Sequence, residues 1–120
     1  MSETNSTEFR DSSPIYRQLR ERIVDMIMDR ELAEGEAAPS VRQVSMELKV
    51  NPITVSRAYQ QLVDENVLEK RRGLGMFVRD GARDLLIQNE RARFLTDEWP
   101  AMKRRLARLG ISLEQLWSDS

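Results

Sequence analysis

The stretch SVRQVSMELKVNPITVSRAYQQL, residues 40–62, holds two helical patterns with almost no chain between them. Ser40 opens the first as an N-cap, with Gln43 three positions on in the spacing of a capping box. Val41, Val44 and Leu48 give it a narrow apolar stripe only about two turns long, too short to persist without neighbours to pack on. Asn51-Pro52 restarts the helix at once, with Asn as N-cap and Pro at the first helical position, where its missing N–H costs nothing. The spacing predicts a second helix over 52–65 with Val55, Ala58, Tyr59 and Leu62 inside and Thr54, Ser56, Arg57, Gln60 and Gln61 outside. Helix, three-residue turn and helix is the arrangement of a helix-turn-helix.

What flanks this pair completes a small domain. Upstream, Ile15, Leu19, Ile23, Met26 and Ile27 recur at helical spacing and predict a helix over 14–31, with Ser13 as N-cap and Pro14 at the first helical position. AEGEAAP then reads as a connector with a short extended piece. Downstream, residues 67–70 and 76–79 read as strands around Arg71-Arg72-Gly73-Leu74-Gly75. The expected fold is therefore mostly α with a small β-hairpin, a winged helix-turn-helix. Leu85, Leu86, Asn89 and Ala92 suggest a further helix, and Trp99, Met102, Leu106 and Leu109 another, with Gly110 as its stop and Ser112 with Gln115 opening a last turn. The expected organisation is a polar N-terminal tail over 1–11, the winged domain over 12–80 and a helical region over 81–120.

Composition removes several chemistries. The chain has neither Cys nor His, so disulfides, thiolate or imidazole catalysis and the usual zinc sites are absent, and no EF-hand spacing occurs. The carboxylates fall on predicted outer faces, and Ser40 and Ser112 read as caps, so no catalytic constellation is expected, nor any metal or cofactor. No apolar run reaches the roughly 18 residues of a membrane span, and the polar start lacks the features of a signal peptide. A cytoplasmic protein with no membrane partner is the expectation. The net charge of −1 argues at first against nucleic acid. Its distribution does not: residues 1–40 carry five arginines against nine acids, whereas 41–80 carry seven basic groups against five acids.

In a DNA-binding helix-turn-helix the first residues of the second helix touch base edges in the major groove. Thr54, Ser56 and Arg57 suit that task, with Asn51 as the cap beside them. Ser40 and Arg42 stand at the mouth of the shorter helix, where free N–H groups can hold a phosphate. Arg71, Arg72 and Gly73 form a basic hairpin tip able to meet the backbone or a minor groove. The tail carries more apolar residues than two short helices can hide, among them Leu85, Leu86, Phe94, Trp99, Met102 and Leu106. They could complete the domain's own core, line a pocket or bury against a second copy; the two-fold dimer is the favoured reading. The alternative to direct base readout is a winged helix serving protein interaction or small-molecule sensing.

Four segments, PIYRQLRERI, PSVRQVSMELKV, TVSRAYQQL and RRGLGMFV, resemble in order and spacing the DNA-binding domain of the GntR family of bacterial transcription regulators. The start of the second helix and the tail of about 40 residues are similar to the YtrA subfamily. The resemblance implies a homodimer on a palindromic double-stranded operator, usually a repressor of its own operon, often beside ABC-transporter genes. It implies DNA contacts at Arg42, Thr54 and Arg57 and a wing-tip glycine at Gly73. The chain departs from the pattern at Pro52 and Ser56, where the family often has arginine, at Ala38, often Leu, and at Lys49, often Gly. No effector is implied.

Overall fold

The computed structural model describes residues 14–118, so the polar segment 1–11 and the expected Ser13 cap lie outside the described residues. The order is α1 (Ile15–Met28), α2 (Val41–Leu48), α3 (Pro52–Asp64), β1 (Leu68–Arg71), β2 (Gly75–Val78), α4 (Ala82–Arg93), a π-helical turn (Phe94–Glu98), α5 (Trp99–Leu109) and α6 (Leu113–Ser118). Two compact units result, one ending at Leu86 and the other beginning at Ile87, so the division falls inside α4 rather than at the end of the hairpin.

The first unit is built on α1 and α3. Leu19, Ile23, Val24 and Ile27 share one core with Val55, Ala58, Tyr59 and Leu62, closed by Val44 of α2 and by Val67, Leu68 and Val78. Tyr16, not Ile15, heads the apolar stripe of α1. Ile15 is 44% exposed while Tyr16 packs against the core, because Tyr16, Leu19 and Ile23 follow the i, i+3, i+7 spacing of one helix face. Tyr59 is 1% exposed, and its hydroxyl donates to the Pro39 carbonyl at 2.6 Å. Burial pushes its pKa up to about 12.

The helices stop through local hydrogen bonding. Pro14 is the cap of α1 and not its first helical residue, with an extended ψ of 149°. The C-terminus of α1 comes at Met28 instead of residue 31 because Arg30 turns to φ 67°: its N–H donates to the Ile27 carbonyl, and that of Glu31 to Met26 at 2.8 Å. This is a Schellman motif, which satisfies carbonyls that the helix end would leave unpaired. It recurs at Lys49 (φ 57°), where the Val50 N–H reaches the Ser45 carbonyl, and at Asn66 (φ 67°), where that of Val67 reaches Leu62. At the start of α2 the Gln43 N–H donates to the Ser40 hydroxyl, but the Gln43 side chain turns to Glu47, so only half of the expected capping box forms. Both halves form between Ser112 and Gln115 at the start of α6.

β1 and β2 pair antiparallel from Leu68 with Val78 to Arg71 with Gly75. The turn closes through the Leu74 N–H on the Arg71 carbonyl at 2.8 Å, with Gly73 at φ 76°, a conformation that favours glycine. The connector before α2 runs along the free side of β2: Gly35 and Ala38 donate to Val78 and Met76, and Val78 donates back to Glu36. One residue of the connector does more. The Glu34 carboxylate accepts from the backbone N–H groups of Gly81 and Arg83 at the start of α4, and those bonds hold its pKa below the usual range.

Leu86, expected at a dimer contact, belongs to the core of the first unit. It is 2% exposed and packs with Ala82 in the cluster described above, so it is not available to a partner. The tail helices are also not separated by a loop. They run through the π turn, where the Trp99 N–H donates to the Phe94 carbonyl five residues back. Pro100 accounts for it: lacking an N–H and crowding the preceding turn, it cannot sit in a regular helix interior without local unwinding.

Two stability measurements check these points. Tyr59→Phe removes one hydrogen bond and should cost about 1 kcal/mol at pH 7 by urea unfolding. The raised pKa of Tyr59 contributes stability that is fully present below pH ~10 and is lost as pH rises toward about 12, by at most about 3 kcal/mol. That alkaline decline should shrink in the phenylalanine variant. Lys49→Gly should stabilise by up to about 1 kcal/mol, since a side chain in the left-handed region costs more than glycine's extra chain entropy. Asn66→Gly should gain less, because Asn tolerates that conformation.

Candidate nucleic-acid interface

Three places in the first unit hold the residues expected to meet DNA: the start of α2, the start of α3 and the hairpin tip. At α2, Ser40 is occupied as the cap, and Arg42 beyond it is exposed and makes no ion pair or side-chain hydrogen bond among the described residues. The N–H groups of Val41 and Arg42 likewise have no protein acceptor among the described residues.

The start of α3 is different. Pro52 has no N–H, that of Ile53 donates to the Asn51 side chain at 2.8 Å, and those of Thr54 and Val55 donate to the Asn51 carbonyl. No backbone donor remains in the first turn of the helix, Pro52 to Val55, so that turn can act on a ligand only through side chains. Thr54 is half-buried, Ser56 is exposed, and neither side chain has a hydrogen-bond partner among the described residues.

Arg57 lies one turn further along. Its guanidinium sits over the Tyr16 ring at 3.9 Å from the centroid, a cation–π contact that holds it on the α1 side of α3. Arg17 donates through Nε to the Tyr16 hydroxyl at 3.4 Å, and this bond, with the charges of Arg17 and Arg57, lowers the Tyr16 pKa. Sequence reasoning missed Tyr16. The i, i+3, i+7 spacing to Leu19 and Ile23 was the signal that places it on the face turned toward α3.

On the hairpin the two arginines part company. Arg71 is held down, over the Phe77 ring at 4.1 Å and paired with Glu69 at 2.9 Å. Arg72, next to Gly73 at the turn, is exposed and unpaired among the described residues. The far end of α3 is fixed by the Glu65 carboxylate, which accepts from Arg20 Nε of α1 at 3.0 and 3.1 Å and from Gln61. Burial would raise the Glu65 pKa, but these bonds outweigh it and lower it.

A groove of about 390 Å³ lies elsewhere, lined by Ile27, Arg30, Leu32, Glu34, Arg83 and Asp84. Two of its four charged side chains are engaged: Glu34 caps α4, and Arg83 donates to the Met28 carbonyl. The described residues contain no group of acidic side chains placed to hold a metal ion, and no helix among them is long and apolar enough to cross a membrane.

Residues 15–78 match the model of the bacterial regulatory proteins, gntR family. Over 109 residues the chain is 28% identical to the HTH-type transcriptional regulator YhcF of Bacillus subtilis, covering 91% of this chain and 88% of that protein. It is 32% identical over 81 residues to the HTH-type transcriptional repressor YtrA of the same organism, covering 68% of this chain and 62% of YtrA. A GntR family transcriptional regulator from Listeria monocytogenes has a similar structure, with a TM-score of 0.73 at 30% identity over 92% of this chain and 95% of that one. These relatives are transcription regulators and not enzymes. The chain therefore belongs to the GntR family of DNA-binding transcription regulators, among relatives of the YtrA type.

Proposed function

We propose that the protein is a repressor that binds a palindromic operator as a homodimer, with an ABC-transporter operon as its target. The observation that carries the DNA-contact part is the start of α3, where the backbone donors of the first turn are taken by the Asn51 cap and side chains are left to meet a ligand. Thr54 and Ser56 give single hydrogen bonds to base edges, and Asn51 contributes through its side-chain N–H₂, its oxygen being used as the cap. Arg57, stacked on Tyr16 beside Arg17, suits a backbone phosphate better than a base. Arg42, with the free N–H groups at the start of α2, takes a second phosphate, and Arg72 beside Gly73 carries the wing contact, with Arg71 in support.

The tail supports the dimer. Among the described residues from Ile87 onward none is buried, while Phe94 is 38% exposed and Met102 44%. Trp99, Met102 and Leu106 follow at i, i+3 and i+7 on one side of α5, with the Phe94 ring 6.4 Å from that of Trp99. We place the second copy against this stripe. Repression rests on the likeness to YtrA, which is named a repressor, and the transporter target on the resemblance of the sequence to the YtrA subfamily alone.

Binding to a duplex selected from a random pool should weaken steeply with salt. Arg42→Ala and Arg72→Ala should each lower affinity and flatten the salt slope by about 1, and Arg71→Ala should do less. An affinity indifferent to salt would overturn the DNA-contact assignment. Met102→Asp combined with Leu106→Asp should give monomers in sedimentation equilibrium and bind the full palindrome poorly. A persistent dimer would move the interface elsewhere.

A further inference from the structure

Ile53 is 76% exposed at the second position of α3. It is the most exposed of the large apolar residues described in the first unit. Ile53, Arg57, Gln60 and Asp64 follow at i, i+4, i+7 and i+11, all exposed, and lie opposite the inner face of Val55, Ala58, Tyr59 and Leu62. Of that outward stripe, Ile53 belongs to the first turn, the part of a recognition helix that reaches base edges. Its side chain packs into nothing in the first unit, and its N–H is already used by the Asn51 cap. So the Ile53 side chain contributes neither core nor cap nor hydrogen bond.

What it can recognise follows from the chemistry of the groove. The one bulky apolar group on a major-groove base edge is the C5-methyl of thymine, and apolar side chains are among those that read it. Arginine at this helix tip would have gripped guanine; Pro52 and Ser56 stand there instead, and Arg57 is drawn toward Tyr16. We infer that Ile53 is a specificity-determining residue that selects T·A pairs through a thymine methyl. The inference rests on the DNA-contact reading above and adds to it the chemical group that is read.

The test uses the full chain and a duplex enriched from a random pool, with its thymines replaced one at a time by deoxyuridine, which removes only the methyl. One thymine in each half-site should matter: its replacement should weaken the wild-type protein about fourfold, the worth of one buried methyl-sized group. The same replacement should leave Ile53→Ala unaffected, and a selection repeated with Ile53→Ala should lose the T·A preference at that position only. Melting temperature should be unchanged in the variant, since the side chain is exposed. If deoxyuridine is tolerated everywhere, or weakens both proteins equally, the inference fails while DNA binding stands. If no duplex is enriched at all, the DNA-contact reading fails and the inference with it. A change in sedimentation of Ile53→Ala without DNA would make Ile53 a protein contact and overturn the assignment.

Discussion

Tyr59 is the largest side chain buried to completion in the first unit, and its hydroxyl donates to the Pro39 carbonyl. That bond joins the middle of α3 to the residue just before the Ser40 cap of α2, so it fixes where α2 starts relative to α3. A phenol in an apolar core without an acceptor would cost about 1–3 kcal/mol, which makes other placements of the connector unfavourable. The connector is then set from both ends, since Gly35, Glu36 and Ala38 pair with β2 and Glu34 caps α4. Hairpin, α2 and α4 are thereby held to one framework around the helix that carries Thr54.

That framework decides how α3 can act. Its far end is tied to α1 by Arg20 and Glu65, and its near end is closed by Asn51 and started by Pro52. A helix with its backbone donors occupied no longer attracts anions through its N–H groups, although its dipole remains. In the proposed contact with DNA, the attraction for phosphate falls to side chains around it, chiefly Arg42, Arg57 and Arg72. In that proposal discrimination is left to groups with little charge, the hydroxyls of Thr54 and Ser56 and the side chain of Ile53.

Much of this was legible in the sequence because it is local. Ser40, Asn51-Pro52 and Ser112 announce helix starts within three residues, and the inner face of α3 follows from its periodicity. What was not legible joins residues far apart in the chain. Glu34 caps a helix almost fifty residues away, and nothing in AEGEAAP marks a carboxylate for that role. Tyr16 meets Arg57 only once α1 and α3 are packed. Leu86 looked like its neighbour Leu85, and only the packing of α4 sends one inward to 2% exposure. The left-handed turns at Arg30 and Lys49 went against residue preference, since tertiary packing fixed the helix ends without glycine.

The sparse charge of the first unit bears on why a tail is needed. Some of its cations are engaged within the unit: Arg71 is paired with Glu69, Arg20 with Glu65, and Arg79 donates to Asn66. Since each neutralised phosphate contributes to affinity through counterion release, one such unit would hold a duplex weakly at physiological salt. Two units on a two-fold site double the phosphate contacts and make the second engagement intramolecular. The second unit is too small to bury a core by itself, and its apolar side chains remain outside among the described residues. The proposed second copy would cover that exposed stripe and add a second set of phosphate contacts, so that in the proposed dimer neither unit acts alone.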